Sequence, residues 1–586
     1  MPTMLAGLNP GWVLIIAGVA SLFITMRSVR QVVTIAAPLL ALLLLVFAPQ
    51  NADLVTTQVL GLKMVLYRVD ALNFIFSLAF LIAAVLNGIY ALHSDDRIQD
   101  GAALFYAGAA VAATLAGDLM TLFVFWELTA ISSVFLILRA QTRAAYYAAM
   151  RYLGVQVLSG VLLLNGLAYV LKSRGDLSLE AFTDLSDPGV LFIFIAFGIK
   201  AAFPLLHNWL QDAYPKATVV GSVVLSVYTT KLAVYALARM FPGQDHLIWI
   251  GATMTVFPVF FAVIENDLRR VLSYSINNQV GFMVCGVGVG TPLAINGVAA
   301  HAFADIFFKG LLMMSMGAVL YRTGTVKASQ LGGLHRSMPW TTVFCIIGAM
   351  AISAFPLFSA FVTKSMIISE VASAGYAVIF LMLMFASAGV LEHSGIKIPY
   401  YAFFGHDSGL RVKEAPFNML LAMGIAAFLC IFLGLPALFP GFGHEWLYGL
   451  LPYREEAMGY SHHHLFSFEH ILTQFQLLVL AIFAFVLLKR VHAYPPEKRS
   501  VILDSDWTYR KVGYNLVKWA GTVWGKAGPA MTAAFFRITS RAYNWIEAAF
   551  SPRGELARGG VLNGAMTIWT AALLGIVLLL SFMAVG

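Results

Sequence analysis

The stretch AFGIKAAFPLLHNWL, residues 196–210, places Lys200 inside an apolar run and Pro204 four residues after it. The tetrapeptide AFPL returns at 354–357, within SAFPLFSAFVTK (353–364), where Pro356 again has a lysine nearby. A proline removes a backbone hydrogen bond and clashes with the preceding helical turn. In lipid, such a break is tolerated only where it is buried in protein or lines a wet cavity. The repeat therefore predicts two broken membrane helices.

Two broken helices in two halves of a transporter typically mark a binding or conduction site. Because burial disfavours the charged form of lysine, a lysine beside such a break can hold or release a proton as neighbouring charges move. For one proline, a packing kink is the simpler interpretation. The recurrence of the motif with a lysine favours function.

Composition agrees with a membrane protein. The chain has 586 residues, 60% of them hydrophobic and 11% charged, with a mean hydropathy of +0.82, whereas soluble domains carry about 25% charged residues. Continuous runs such as GVLFIFIAF differ from the alternating pattern of membrane β-barrels. We predict an all-α polytopic bundle with spans near 12–27, 31–48, 70–92, 101–116, 119–139, 146–171, 188–204, 216–240, 245–264, 270–289, 293–321, 339–371, 374–403, 416–436, 467–490 and 561–585.

The net charge of +8 comes mostly from loop residues and does not indicate nucleic-acid binding. With the N-terminus outside, thirteen Lys and Arg fall in short inner loops and six in short outer loops, which favours that orientation. The N-terminal stretch lacks the basic region and cleavage site of a signal peptide, so we expect it to be the first span. The scattered Cys285, Cys345 and Cys430 form no disulfide or zinc framework.

Charged residues deep in predicted spans are costly and therefore functional candidates. They are Glu127, Lys200, Lys231, Asp305, Lys309, Lys364, Glu392 and Lys397. His301, Asp305 and Lys309 are spaced four apart and share one helix face, so they could relay protons or could include a structural Asp305–Lys309 pair. For Lys397, and with less force for Lys364, snorkelling to the interface is the simpler interpretation.

The chain resembles the antiporter-like membrane subunits shared by Mrp-type cation/proton antiporters and respiratory complex I. The resemblance covers roughly residues 70–435 and rests on FVFWELTAISS, GIKAAFPLLHNWLQDAYPKATVVGSVVLS, TTKLAVYALAR, ENDLRRVLSYSINNQVGFM and HAFADIFFKGLLMMSMGAV. It implies a core of about fourteen helices with two inverted five-helix repeats, 101–240 and 245–403. N-terminal spans would occupy 1–100, C-terminal spans 404–490, and an amphipathic interfacial segment with a final span 491–586.

The resemblance also implies roles for individual residues. Glu127 matches the glutamate that pairs with the lysine of the first broken helix, here Lys200. Lys231 matches the bridging lysine, Lys309 the central lysine with His301 on its face, and Lys364 the terminal position. Together with Asp305 they would form a hydrated proton pathway along the membrane plane.

Three features depart from the family pattern. Asp305 stands where many relatives have histidine or an apolar residue, and it should favour the charged form of Lys309. The segment INNQVGF replaces a serine- and histidine-containing version, which we interpret as local polar packing. The tail beyond about residue 440 is long, and its His462–His464 run in an outer loop is more consistent with a solvated loop than with a metal site.

We therefore predict a proton-translocating subunit of a multi-subunit Mrp-type Na⁺/H⁺ antiporter in the plasma membrane, with other membrane subunits as partners and no cofactor or metal. The alternative is a proton-pumping subunit of a redox complex, either an NADH–quinone oxidoreductase or a membrane-bound hydrogenase. A third interpretation is a membrane partner of an inorganic-carbon uptake complex. This chain itself carries neither a Cys₄ iron–sulfur ligand set nor a nucleotide-binding glycine loop.

Overall fold

The computed structural model describes residues 7–59, 61–492, 494–495, 502–550 and 573. The chain divides into two units, 1–502 and 503–586. The helices before the first broken segment are α1 (Pro10–Phe23), α2 (Arg27–Val46), α3 (Ala71–Ala91), α4 (Arg97–Thr114), α5 (Leu119–Leu138) and α6 (Arg143–Arg174). Nine helices in the described part of the chain are long and apolar enough to cross a membrane. The fold class is thus confirmed; the predicted span 561–585 lies outside the described residues, apart from the single position 573.

The first broken segment and its neighbour comprise α7 (Pro188–Lys200), α8 (Asn208–Ala213), α9 (Val219–Val227) and α10 (Thr229–Met240). There follow α11 (Asp245–Ile264), α12 (Leu268–Val289), α13 (Pro292–Thr323), α14 (Pro339–Ile352), α15 (Ser359–Ser373) and α16 (Ala377–Val390), which continues through π-helical turns to Phe404. The C-terminal helices are α17 (Phe417–Phe432), α18 (His444–Tyr448), α19 (Arg454–Tyr460) and α20 (Phe468–Arg490).

Helix ends in the two halves are built alike. The N-caps Asp118 of α5 and Asp267 of α12 each begin a matching helix. Helices α6 and α13 both have 32 residues, start after a threonine N-cap and end at a left-handed glycine, Gly175 or Gly324. These residues satisfy the backbone groups that helix ends leave free.

A β-hairpin that the sequence analysis did not anticipate lies between α2 and α3. Strands β1 (Ala52–Val59) and β2 (Leu62–Val69) pair antiparallel around Gly61, whose φ is +81°. The hairpin packs on the α4–α5 connection, where the carboxylate of Asp118 accepts a hydrogen bond from the Val65 amide at 2.8 Å.

The second unit contains α21 (Tyr514–Phe550), preceded by a π-helical turn over Thr508–Gly513. Exposed Trp519, Trp524 and Phe535 alternate along it with basic residues. This helix coincides with the segment predicted to be amphipathic and interfacial, and the interfacial location stays a prediction.

Candidate functional site

The two AFPL motifs adopt the same backbone. Helix α7 ends at Lys200, after which Ala202 and Leu205 have φ of +62° and +70°. Helix α14 ends at Ile352, after which Ala354 and Leu357 have φ of +55° and +73°. Left-handed conformations cost a residue with a side chain roughly 1–2 kcal/mol, so the surrounding packing must hold each break in place.

Each break is capped by a side-chain amide. The carbonyl of Ala202 accepts a hydrogen bond from Asn277 Nδ2 of α12 at 2.6 Å. The equivalent carbonyl of Ala354 accepts one from Gln474 Nε2 of α20 at 2.9 Å. The carbonyl at each break therefore has a hydrogen-bond donor. In the second break the donor comes from α20, which follows both sets of matching helices in the chain.

Lys200 is fully buried against α5. Its Nζ donates to the Trp126 carbonyl at 2.5 Å and to Thr129 Oγ1 at 3.1 Å, and it lies 4.4 Å from the centre of the Trp126 ring. All of these partner groups are neutral. An ammonium held in this way is stabilised at contact distance by dipoles and a ring face.

The predicted Glu127–Lys200 ion pair is not formed. Among the described residues, no carboxylate oxygen lies within 4 Å of Lys200 Nζ, and Glu127 Oε1 is buried without a hydrogen-bond partner. The carboxylate occupies space that Gly160 leaves free, since a Cβ built there would lie 1.8 Å from Oε1. Lys200 thus contacts the neutral groups of α5 and not the carboxylate that the same helix carries.

The structural Asp305–Lys309 pair, which the spacing allowed as an alternative to a proton relay, is not formed. Asp305 instead forms an ion pair with Lys231 of α10, with Oδ2 and Nζ 2.6 Å apart and both side chains fully buried. Lys231 further donates to the Ser226 carbonyl at 3.0 Å, which the discontinuity between α9 and α10 exposes. Spacing along α13 identified the face correctly, but the partner comes from the other half of the molecule.

Lys309 contacts hydroxyl groups. Its Nζ donates to Ser275 Oγ of α12 at 2.6 Å, and Ser275 Oγ accepts from Ser394 Oγ at 2.8 Å. The lysine is thus the start of a short hydroxyl chain that reaches the π-helical part of α16.

His301 lies between α12 and α15. Its Nδ1 is 2.9 Å from Thr363 Oγ1 and its Nε2 is 3.1 Å from Gln279 Oε1. The INNQVGF segment, predicted to serve only local packing, therefore contacts both the first break and His301, through Asn277 and Gln279. Its density of polar residues inside an apolar span is the signal that could have revealed this role.

The snorkelling interpretation is wrong for both lysines to which it was applied. Lys397 is fully buried and donates to the carbonyls of Ala262, Val263 and Glu265 at 2.6–3.2 Å, where it caps the C-terminus of α11. Lys364 is 1% exposed and lies 4.6 Å from the Phe282 ring centre. Its Nζ has no hydrogen-bond partner among the described residues.

Comparison with known proteins identifies the family that this chain resembles. The family model described as NADH:quinone oxidoreductase/Mrp antiporter, TM, matches residues 116–390. The D-type chain of the Na⁺/H⁺ antiporter of Alkalihalophilus pseudofirmus is 31% identical over 349 residues, which are 56% of this chain and 70% of that protein. The chain belongs to this antiporter-like family.

Similar proteins bear the names of different assemblies. Hydrogenase-4 component B of Escherichia coli is 27% identical over 419 residues, 63% of this chain and 62% of that protein. A chain in the structure of the Mrp complex from Dietzia has a TM-score of 0.65 at 21% identity, and the match covers 80% of this chain and 99% of that one. The fold of the antiporter-like family thus accounts for most of this chain.

The lysines of the two breaks are not equivalent within this antiporter-like chain. Lys200 precedes Pro204 by four residues and ends the first half of its broken helix, whereas Lys364 follows Pro356 by eight and lies in the second half of its own. Alignment of the AFPL motifs places Asp212 opposite Lys364, and Asp212 pairs with Arg151 and Lys216. The two breaks share a backbone but carry their lysines on opposite sides of the proline.

Proposed function

We propose that this chain is the proton-translocating membrane subunit of a multi-subunit Mrp-type monovalent cation/proton antiporter, with Na⁺ as the expected cation. The observation that carries the proposal is the buried Lys231–Asp305 ion pair, which joins α10 to α13. Lys200 and Glu127 lie on one side of this joint and His301, Lys309 and Lys364 on the other. Burial of so many ionisable groups is costly and is retained where charge moves.

The proposed pathway uses neutral and charged contacts in turn. A proton that arrives near Glu127 changes the electrostatic field at Lys200. The neutral partners of Lys200 hold its ammonium group only weakly. The Lys231–Asp305 ion pair breaks or forms in response, and this changes the electrostatic field at Lys309. Lys364 then exchanges a proton with the far end of the pathway.

The proposal includes the arrangement of the repeats, the location of the chain and its partners. The repeats span 101–240 and 245–403, flanked by 1–100, 404–490 and 491–586, and the chain lies in the plasma membrane with its N-terminus outside. Partners are further membrane subunits. Reporter fusions at the N-terminus would test the orientation directly.

The test is cation-driven proton movement in inverted vesicles containing the whole assembly. Lys200→Ala should abolish it while leaving assembly intact, and Glu127→Gln should weaken it. Lys172→Ala, which removes an exposed lysine in the last turn of α6, is the matched control. Normal proton flux with Lys200→Ala would contradict the proposed pathway.

The second candidate is a proton-pumping subunit of a redox complex. The similarity to hydrogenase-4 component B favours it. The same buried charges would carry the protons, but electron transfer in partner subunits would drive the proton movement. Proton movement that requires an electron donor and no Na⁺ would support this candidate over the antiporter.

A further inference from the structure

A cavity of about 340 Å³ lies beside Lys364, between α15, α16, α19 and α20. Eleven of its sixteen lining residues are polar, which distinguishes it from the apolar grooves elsewhere on the first unit. Two of its walls come from helices beyond α17. A cavity of this size with several polar groups can hold water.

Lys364 lines this cavity. Its Nζ lies over the Phe282 ring without a hydrogen-bond partner among the described residues. A lysine stem has four carbons and is flexible, so a rotamer change can carry Nζ from the ring into the cavity. Ser365 of α15 and Ser387 of α16 also line the cavity and carry hydroxyl groups.

His470 of α20 also lines the cavity. Its ring stacks on Phe361 with centroids 4.8 Å apart, and its Nδ1 lies 2.8 Å from the Leu465 carbonyl. Because a carbonyl can only accept, Nδ1 carries the hydrogen in the neutral ring and Nε2 is left as an acceptor. One turn later, Gln474 lines the same cavity and caps Ala354.

We propose that this cavity is the aqueous access route by which Lys364 exchanges protons with one face of the membrane, with His470 of α20 as the proton-exchanging group in its lining. His470 Nε2 takes a proton from a hydronium ion in the cavity and leaves water. It then passes that proton to a second water, which protonates the neutral amine of Lys364 and is itself left as water; release runs in reverse. The C-terminal helix α20 therefore completes the pathway of the core, through His470 for exchange and Gln474 for positioning. The inference rests on the proposed function, because only a translocating Lys364 needs such access.

The access route is tested without transport, by cysteine labelling of the whole assembly in membranes. Ser387→Cys and Ser369→Cys line the cavity, Ser315→Cys is buried elsewhere, and the native Cys285, Cys345 and Cys430 are buried. A charged methanethiosulfonate reacts with the thiolate, which requires water at the site. We expect both cavity variants to be labelled from one face in sealed vesicles of known orientation, and Ser315→Cys and the native chain to stay unlabelled.

Absence of labelling in both folded cavity variants, from either face, would overturn the route. Labelling together with no cation-driven proton movement by the native assembly would keep the cavity and refute the proposed function instead.

The role of His470 is tested by transport. His470→Ala should lower proton movement by about tenfold. This loss is smaller than is usual for a positioned proton-transfer group, because water can partly replace the imidazole. Added imidazole should restore part of the lost proton movement. His463→Ala, a neighbouring exposed histidine outside the cavity lining, is the matched control and should be unchanged. A loss that imidazole does not restore, or no loss, would overturn the assignment of His470.

Discussion

The Lys231–Asp305 pair makes the sharpest prediction about the buried charges. Asp305→Asn removes one charge and leaves Lys231 buried beside a neutral amide. At 2.6 Å, and with an effective dielectric constant of about 20, the lost attraction is about 6 kcal/mol. Removal of one partner from buried pairs typically costs about 3–5 kcal/mol, because the remaining charge is uncompensated. We expect a loss in that range in the free energy of unfolding.

The double variant Lys231→Met with Asp305→Leu separates stability from transport. It removes both charges, so it should recover most of the stability but no proton movement. The assay is denaturant unfolding of the purified chain in detergent, combined with transport in vesicles. Asp407→Asn, which breaks the exposed pair with Arg411, is the control and should change neither. A single variant that unfolds like the native chain, or a double variant that transports normally, would refute the reasoning.

Three further predictions concern single sites. Gly160→Ala should displace the Glu127 carboxylate and reduce transport as much as Glu127→Gln, whereas Gly154→Ala on the same helix has nothing within 4 Å and should be silent. Lys397→Met leaves three carbonyls at the end of α11 without their donor and should lower the free energy of unfolding by about 1–3 kcal/mol while transport per folded molecule is unchanged. In the α3–α4 connection, burial lowers the pKa of His93. Stability should therefore fall as pH drops below about 6.5, the unfolded-state value, and His93→Gln should lessen that fall in melting curves at about pH 7.5 and 5.5.

The sequence predicted the fold because apolar composition and long runs leave few alternatives to a helical membrane bundle. It predicted the breaks because each AFPL motif places a proline inside an apolar run. The structure has positive φ at the same two positions of each motif. The hairpin at 52–69 was missed, although ADLVTTQV and LKMVLYRV around a glycine are short enough for strands. Length alone separates such segments from spans.

Partners across the bundle could not be predicted in the same way. Spacing of four placed Asp305 and Lys309 on one face, but the ion-pair partner of Asp305 is Lys231, 74 residues earlier. Helical periodicity gives the face of a residue and not the helix that packs against it. The hydrogen bonds from Asn277 and Gln474 could not be predicted for the same reason, because each is donated to a carbonyl far away in sequence.

The antiporter assignment is tested most directly by mass spectrometry of what co-purifies with a tagged copy from native membranes in mild detergent. We expect small hydrophobic subunits and a second antiporter-like chain, without redox proteins. Iron–sulfur, flavin or nickel subunits in the same complex would contradict the antiporter assignment and assign the buried charges to a redox-driven pump.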